Sequence, residues 1–542
     1  MKTLRRILFT SPVRALWLCA ILLVSCATAA RGPLEQDPAV RSGVLANGLT
    51  YRILRNTQPG NRLFLRLVVK AGSVLEDDDQ RGLAHLVEHM AFKNTAHFAE
   101  NELIKYFESI GMAFGPDVNA YTSYDQTVYM LEIPADSGEA LDTALTVIGD
   151  WAWGVTFEEE ALQKERDVVI EEWRLDRGFS GRVQDAILPF LFQGSRYADR
   201  ATIGVPEVIK NAPRERIVDF YETWYRTNLL TVLIVGDADP DVIEGAVREK
   251  LSEIPEDSAI HRKKAARPEY PVPLSRDEAA LVITDPESPY PMAQLYEFFP
   301  ARPVRSRGDF KNRLLRQVAS DILGERLNER AEQGAPFLRA GSSFYHLIRP
   351  LWAGSTAFIP REGQFEGAFK AVLDEMDRFR AFGVTQGELD RQKQNQLAWA
   401  DQAWQNRDKT ESSALIGALI GSELYGEPFL SPEARHELVG SLIGEISVKE
   451  VNRTIASYFG SRGKFLIVTA PEDSPLPPAA EIEDLWKNYR SKTPLAPPQD
   501  DGHGRPLFSP SPDFAPGKVV SEESFSLGAG DSPRTVTVFT LS

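Results

Sequence analysis

RGLAHLVEHMAFKNT, residues 81–95, is the stretch on which the reading of this chain turns. It sets His85, Glu88 and His89 in the pattern H-x-x-E-H, within a segment whose spacing predicts a helix over Arg81–Lys93. Four residues advance about 400° along an α-helix and three about 300°. Both imidazoles and the Glu88 carboxyl therefore share one face. Two imidazoles one turn apart can hold a single ion, and Glu88 then reaches a water on that ion rather than the ion itself. Zinc lowers the pKa of such a water to about 7. Glu88 can take its proton during attack on a polarised carbonyl and return it to the leaving amine.

A catalytic zinc needs a third protein ligand. The body's other histidines (His97, His261, His346, His436 and His503) lack ligand spacing, and His97 reads as a surface residue. The helix ALQKERDVVIEEWR, residues 161–174, offers Glu165, Glu171 and Glu172 instead. Glu165 and Glu172 are seven apart and share a face after two turns. One can bind the ion while the other orients a ligand.

Around these helices the patterning is mixed. GVLANGLTYRIL (43–54) reads as a hairpin, with Asn47 and Gly48 both able to take positive φ at its turn. LFLRLVVKAG (63–72) reads as a third strand, and VNAYTSYDQTVYMLEIP (118–134) as β-structure broken at Ser123–Gln126. Glu100–Met112, Gly138–Trp153 and Glu158–Asp176 read as helices, and a closing helix leads into a buried strand at Leu229–Val235. Trp151, Trp153, Trp173 and Trp224 fall in helical segments, where core packing explains them. The second half repeats this grammar. Strands near Ala279–Thr284 and Met292–Phe299 precede a long helix at Asn312–Glu332, strands within Ser342–Phe358, several helices, and a closing helix and strand ending at Phe465–Thr469. Such self-similarity predicts duplication. The expected fold is α/β (α+β): two similar domains, each a mostly antiparallel sheet flanked by helices. Only the first carries H-x-x-E-H.

The expected domains are 40–255, catalytic, and 274–490, non-catalytic. The charged connector Glu253–Pro273 joins them, and its basic run His261–Lys264 reads as a solvated loop. Residues 1–29 read as an export signal: basic residues, then the apolar run Ala15–Val24, too short to span a bilayer. Cleavage after Ala27–Ala29 competes with a loose lipobox ending at Cys26, which would make the chain a lipid-anchored periplasmic protein. Cys19 and Cys26 are the only cysteines, so the body has neither a disulfide nor a thiol nucleophile. Residues 491–542 read as a Pro/Gly-rich linker and then TVTVFTLS, a lone strand that looks like the start of a third, truncated domain. The net charge of −16 argues against nucleic acid or an anionic membrane face as the main partner. Phosphate loops and a serine-hydrolase elbow are absent from the sequence.

The chain resembles the pitrilysin/insulysin (inverzincin) metallopeptidases, whose hallmark is H-x-x-E-H. The likeness runs from about Gly43 to Ala470. RGLAHLVEHMAFKNT matches the family's active-site helix, and NAYTSYDQTVYML resembles the strand lining its cleft. QKERDVVIEEW resembles its third-ligand helix, and FYETWYRTNLLTVLIVGD the close of its first domain. The resemblance implies one zinc per chain on His85, His89 and Glu172, with Glu165 as outer partner and Glu88 as general base. Asn119 and Ala120 take the substrate-edge positions. It implies a clamshell of four domains, in one chain or two, around peptides or small unfolded proteins bound as an added strand. The long bacterial periplasmic zinc proteases of the family are the nearest in character, and this chain matches their N-terminal half. Family members also grip the substrate carbonyl with an Arg and a Tyr. The nearest local stretch, RLNERAEQGAPF, offers Arg330 but Phe337 where a tyrosine would be sought. Two functions follow: a zinc endopeptidase, or an assembly subunit that works only with a second half or as a homo-oligomer.

Overall fold

The computed structural model describes residues 32–100, 102–255, 267–274, 278–459, 463–489, 495–498, 519–527 and 534–541. The expected signal segment and most of the Pro/Gly-rich linker lie outside them, as does the basic run 261–264.

The first half builds a six-stranded sheet. Its strands are β1 (Arg41–Val44), β2 (Thr50–Arg55), β3 (Arg62–Val69), β4 (Val118–Thr122), β5 (Thr127–Pro134) and β6 (Leu230–Gly236), in the order β1-β2-β6-β3-β5-β4. The second builds β7 (Ala279–Thr284), β8 (Met292–Pro300), β9 (Phe337–Ile348), β10 (Leu351–Pro360) and β11 (Gly463–Ala470), in the order β7-β11-β8-β10-β9. Superposing β2-β6-β3-β5-β4 on β7-β11-β8-β10-β9 preserves every pairing sense. β6 runs parallel to β2 and β11 parallel to β7, and every other pair is antiparallel. The same five-strand arrangement thus occurs twice, as the repeated grammar predicts.

The halves interlock. The helix Phe179–Leu191 of the first half lies on the second sheet, with Phe190 against Phe465 (5.8 Å between ring centroids) and Phe192 stacked on Phe298 (6.4 Å). One apolar core therefore runs from Leu65 and Leu86 to Phe298 and Phe465. In return the helix Ser412–Tyr425 covers the outer face of the first sheet, burying Ile416 and Leu419 against Val68, Val128 and Leu233. Each such aliphatic side chain contributes roughly 1.5–3 kcal/mol on full burial. Ion pairs reinforce this seam. Glu423 takes Arg52 at 2.7 Å and also Lys70, and Arg182 clasps both oxygens of Asp285 at 2.7 Å.

Several expectations need correction. At the 45–49 turn only Gly48 has positive φ (96°). The Asn47 side chain instead donates to the carbonyls of Leu251 and Ile254 (2.8 and 2.9 Å) and so ties the hairpin to the end of the helix Pro240–Leu251. The sequence reading assigns no helix between Asp176 and the closing helix of the first half, yet Phe179–Leu191 is helical and carries Pro189 in its last turn. The long helix begins at Arg307, set by a capping box between Ser306 and Asp309. The final strand is not alone: β13 (Arg534–Leu541) pairs antiparallel with β12 (Val519–Leu527), whose VVSEESFSL carries too few apolar residues to announce itself. Trp151 and Trp153 lie in a single π-turn, Asp150–Gly154, rather than in the α-helix before it. Trp151 is fully buried, while Trp173 lies beneath the Arg177 guanidinium, 4.1 Å from its ring.

Candidate metal centre

The helix Leu83–Met90 buries Leu83, Leu86, Val87 and Met90 in the first core and turns His85 and His89 outward on its other face. The rings lie 4.7 Å apart at 87°. The helix Glu159–Leu175 crosses it and supplies Glu172, whose Oε2 is 3.4 Å from His89 Nε2 and 3.8 Å from His85 Nε2. Among the described residues these three form the one cluster of metal-ligating side chains, with ligand atoms within 4.8 Å of one another. Tetrahedral ligands about 2.0–2.1 Å from zinc stand about 3.3 Å from each other. The Glu172–His89 distance meets that spacing, and the Glu172–His85 distance is about 0.5 Å longer. Glu172 is 44% exposed, so the cluster opens to solvent on its side.

Outer contacts orient the donors. Glu165, seven residues before Glu172, is buried and accepts from His89 Nδ1 at 3.1 Å. Its other oxygen takes Lys93 Nζ at 2.7 Å. An ionised carboxylate only accepts, so His89 Nδ1 carries a proton toward Glu165, and Nε2, which faces Glu172, is the nitrogen left to ligate an ion once it gives up its own proton. Burial pushes His89 toward neutrality, but the bonds to Glu165 and Glu172 outweigh it and hold its pKa at about 9. The contrast with His85 is sharp. Burial, aided by the charge of His89, pushes its pKa down to about 4, and its Nδ1 is buried without a hydrogen-bond partner among the described residues. For Glu172 the His89 bond comes first and lowers the pKa below the ordinary carboxylate value.

Glu88 stands behind the pair, 7% exposed. Its Oε2 accepts from the hydroxyl of Thr122, the last residue of β4. Burial lifts its pKa to about 7 against the pull of that bond. The carboxyl is thus poised between its two protonation states near neutrality, as a proton carrier requires. Thr122 and Lys93 were not identified from the sequence. Both depend on pairings across the fold that no local spacing reveals.

Asn119 and Ala120 lie on β4, which ends the sheet. Asp117 accepts from Glu132 N, and Ser123 N donates to Gln126 O. By antiparallel alternation the odd-numbered residues bond to β5, and Ala120 and Thr122 turn their backbone groups to the open edge. Asn119 Oδ1 folds back onto the Ala120 N–H at 2.8 Å. Other candidates fall elsewhere. Glu171 points to solvent and pairs with Arg174. Arg330 is bound to Glu375 at 3.0 Å, and Phe337 is wholly buried, so neither is free to meet a substrate. His97 is 65% exposed as expected, but its ring also bonds the buried Asp150 at 2.7 Å.

Comparison with known proteins agrees with this architecture. Residues 51–181 match the insulinase (peptidase family M16) domain, and residues 211–396 match the M16 inactive domain. The chain belongs to the M16 peptidase family. Its M16 relatives include the probable zinc protease PqqL of Haemophilus influenzae, 30% identical over 484 residues, covering 88% of this chain and 51% of that protein. The first half of the periplasmic protease PqqL from Escherichia coli superposes with a TM-score of 0.79 at 27% identity, covering 86% of this chain and 100% of that one. The whole E. coli PqqL gives 0.80, covering 94% and 55%. This M16 chain therefore spans about half the length of the curated relatives it matches. Among the described residues no helix is long and apolar enough to cross a membrane.

Proposed function

We propose that the chain is a zinc-dependent endopeptidase of the periplasm, in which His85, His89 and Glu172 hold one zinc ion and Glu88 is the general base. The observation that carries this reading is the convergence of two imidazoles from one helix and a carboxylate from another, beside a buried acid with its pKa near 7. Zinc in such a site supplies Lewis acidity, making water acidic and polarising a carbonyl.

The chain's own residues do the rest. Glu165 and Lys93 hold the His89 ring so that Nε2 is its ligand atom. Thr122 fixes one oxygen of Glu88; the other accepts a proton from the attacking water and returns it to the departing amine. The open edge of β4 binds an extended peptide through the backbone of Ala120 and Thr122. A substrate carbonyl reaching the Ala120 N–H displaces Asn119 Oδ1, which is then free to bond the substrate itself. Peptides and small unfolded proteins suit an edge of this kind, because an extended segment can pair with it as an added strand.

A second reading draws on chain length. The PqqL relatives are about twice as long, and neither Arg330 nor Phe337 is placed to grip a substrate carbonyl. The chain then acts as one half of an enzyme and gains activity with a second two-domain half, or as a homo-oligomer. Hydrolysis of an unstructured peptide tests both readings. Activity that a chelator removes, zinc restores and Glu88→Gln abolishes supports the first. Equal turnover by wild type and Glu88→Gln refutes the assigned base. Zinc uptake without turnover assigns the chain to the second reading.

A further inference from the structure

We propose that Glu76 is a positioning residue for the metal-site helix, anchoring the N-terminus of Leu83–Met90 and so fixing the direction in which His85 and His89 point. The proposal rests on the zinc reading for its consequence, but the contacts behind it are independent of that reading. The helix starts without a cap of its own: its N-cap residue is Gly82, which has no side chain, in a left-handed conformation (φ 101°). No larger residue fits there, because a Cβ would stand 2.8 Å from the Ile209 side chain and 2.9 Å from Gly204 Cα. The first backbone N–H groups of a helix lack partners within it. Here Glu76, six residues upstream, supplies one. Its Oε1 accepts from Gly82 N at 3.0 Å and from Ala84 N at 2.8 Å.

Glu76 is itself held from behind. It is wholly buried, and its backbone carbonyl takes Arg196 Nη2 and, at 2.9 Å, Arg200 Nε. Arg200 is locked in turn, its carbonyl accepting Ser73 Oγ at 2.8 Å. The anchor is thus set in a rigid surround, while the helix it holds is only eight residues long. In so short a helix a small rotation at the first turn swings His85 and His89 away from Glu172, which arrives on a separate helix. Oε2 of Glu76 is buried without a hydrogen-bond partner among the described residues, and burial raises the group's pKa to about 8. Burial thus disfavours the charged form of the side chain. What it offers the helix is therefore a placed acceptor oxygen, which glutamine reproduces.

The test compares Glu76→Gln, Glu76→Ala and Glu76→Asp with wild type. Zinc affinity is read by competition with a chromophoric chelator, and amide hydrogen exchange of residues 82–90 is read in the metal-free protein. Outer groups that orient ligands typically cost 10–100-fold in metal affinity when lost. We expect Glu76→Ala to weaken zinc binding by about tenfold and to speed exchange at Gly82 and Ala84. Glu76→Gln should stay within about twofold of wild type on both readouts. Should the alanine variant not fold, Glu76→Asp keeps the acid but withdraws the oxygen by one methylene, and should show the same losses. Wild-type zinc affinity in the alanine or aspartate variant overturns the proposal, as does an equal loss in alanine and glutamine. If the wild-type chain takes up no zinc, the zinc reading fails, and the exchange comparison still decides whether Glu76 anchors the helix.

Discussion

Replacing Glu165 by glutamine probes how the centre is held together. The side chain is 4% exposed and serves two cations at once, His89 Nδ1 at 3.1 Å and Lys93 Nζ at 2.7 Å. Glutamine keeps the shape but has one accepting atom. If its oxygen stays with Lys93, its NH₂ faces His89 Nδ1 and drives the ring proton to Nε2, the atom the metal needs. If the oxygen turns to His89, the NH₂ faces the Lys93 ammonium, donor against donor. Both arrangements cost binding, and the expected loss is about 10–100-fold in zinc affinity, or roughly 1.4–2.8 kcal/mol. Chelator competition at fixed pH measures it, and circular dichroism of the metal-free proteins checks that the fold is retained. Lys93→Met should weaken binding less, since it leaves the carboxylate on His89. Wild-type zinc affinity in Glu165→Gln would refute the orienting role.

Thr122→Val removes the hydroxyl from Glu88 while conserving shape. It should lower the hydrolysis rate by about tenfold or more, the scale of misplacing a general base, with zinc content unchanged; a parallel loss of zinc would mean that the contact is structural. Glu423→Gln tests the seam between the halves. Burial would raise the pKa of Glu423, but Lys70 and Arg52 outweigh it and depress it. A depressed carboxylate stabilises the fold above its unfolded pKa, and that stabilisation is lost as pH falls through the folded value. The variant should therefore be less stable than wild type by about 2 kcal/mol at pH 7 in urea unfolding, under the roughly 3–5 kcal/mol of a wholly buried pair because both cations keep some solvent. The gap should close below the ordinary carboxylate range. A gap independent of pH would contradict the ion-pair account.

The elements that the sequence makes legible are those whose signal is local. His85, Glu88 and His89 lie within five residues, and Glu165 and Glu172 within eight, so helical geometry alone predicts their faces. The repeated order of strands and helices is legible because each half must close on its last strand. What escapes local reading depends on partners far along the chain. Thr122 meets Glu88 across 34 positions and Glu165 meets His89 across 76. Helical phase can nominate Glu165 but cannot say which histidine it holds. The helix Phe179–Leu191 carries Pro189, a residue that locally speaks against a helix, and packs on the second sheet far along the chain. Glu76 sits in a segment, SVLEDDDQ, in which four acidic residues look alike; only the fold separates the wholly buried anchor from Asp77, Asp78 and Asp79, whose side chains are 66%, 93% and 64% exposed.

The central claim is that one ion sits among three side chains drawn from two helices. Metal content measured on purified wild type, His85→Ala, His89→Ala and Glu172→Gln, each equilibrated with zinc and desalted, tests it most directly. One zinc per chain is expected in wild type, with a sharp loss in all three variants and the fold intact. Full zinc retention in Glu172→Gln, or no zinc in wild type, would contradict it.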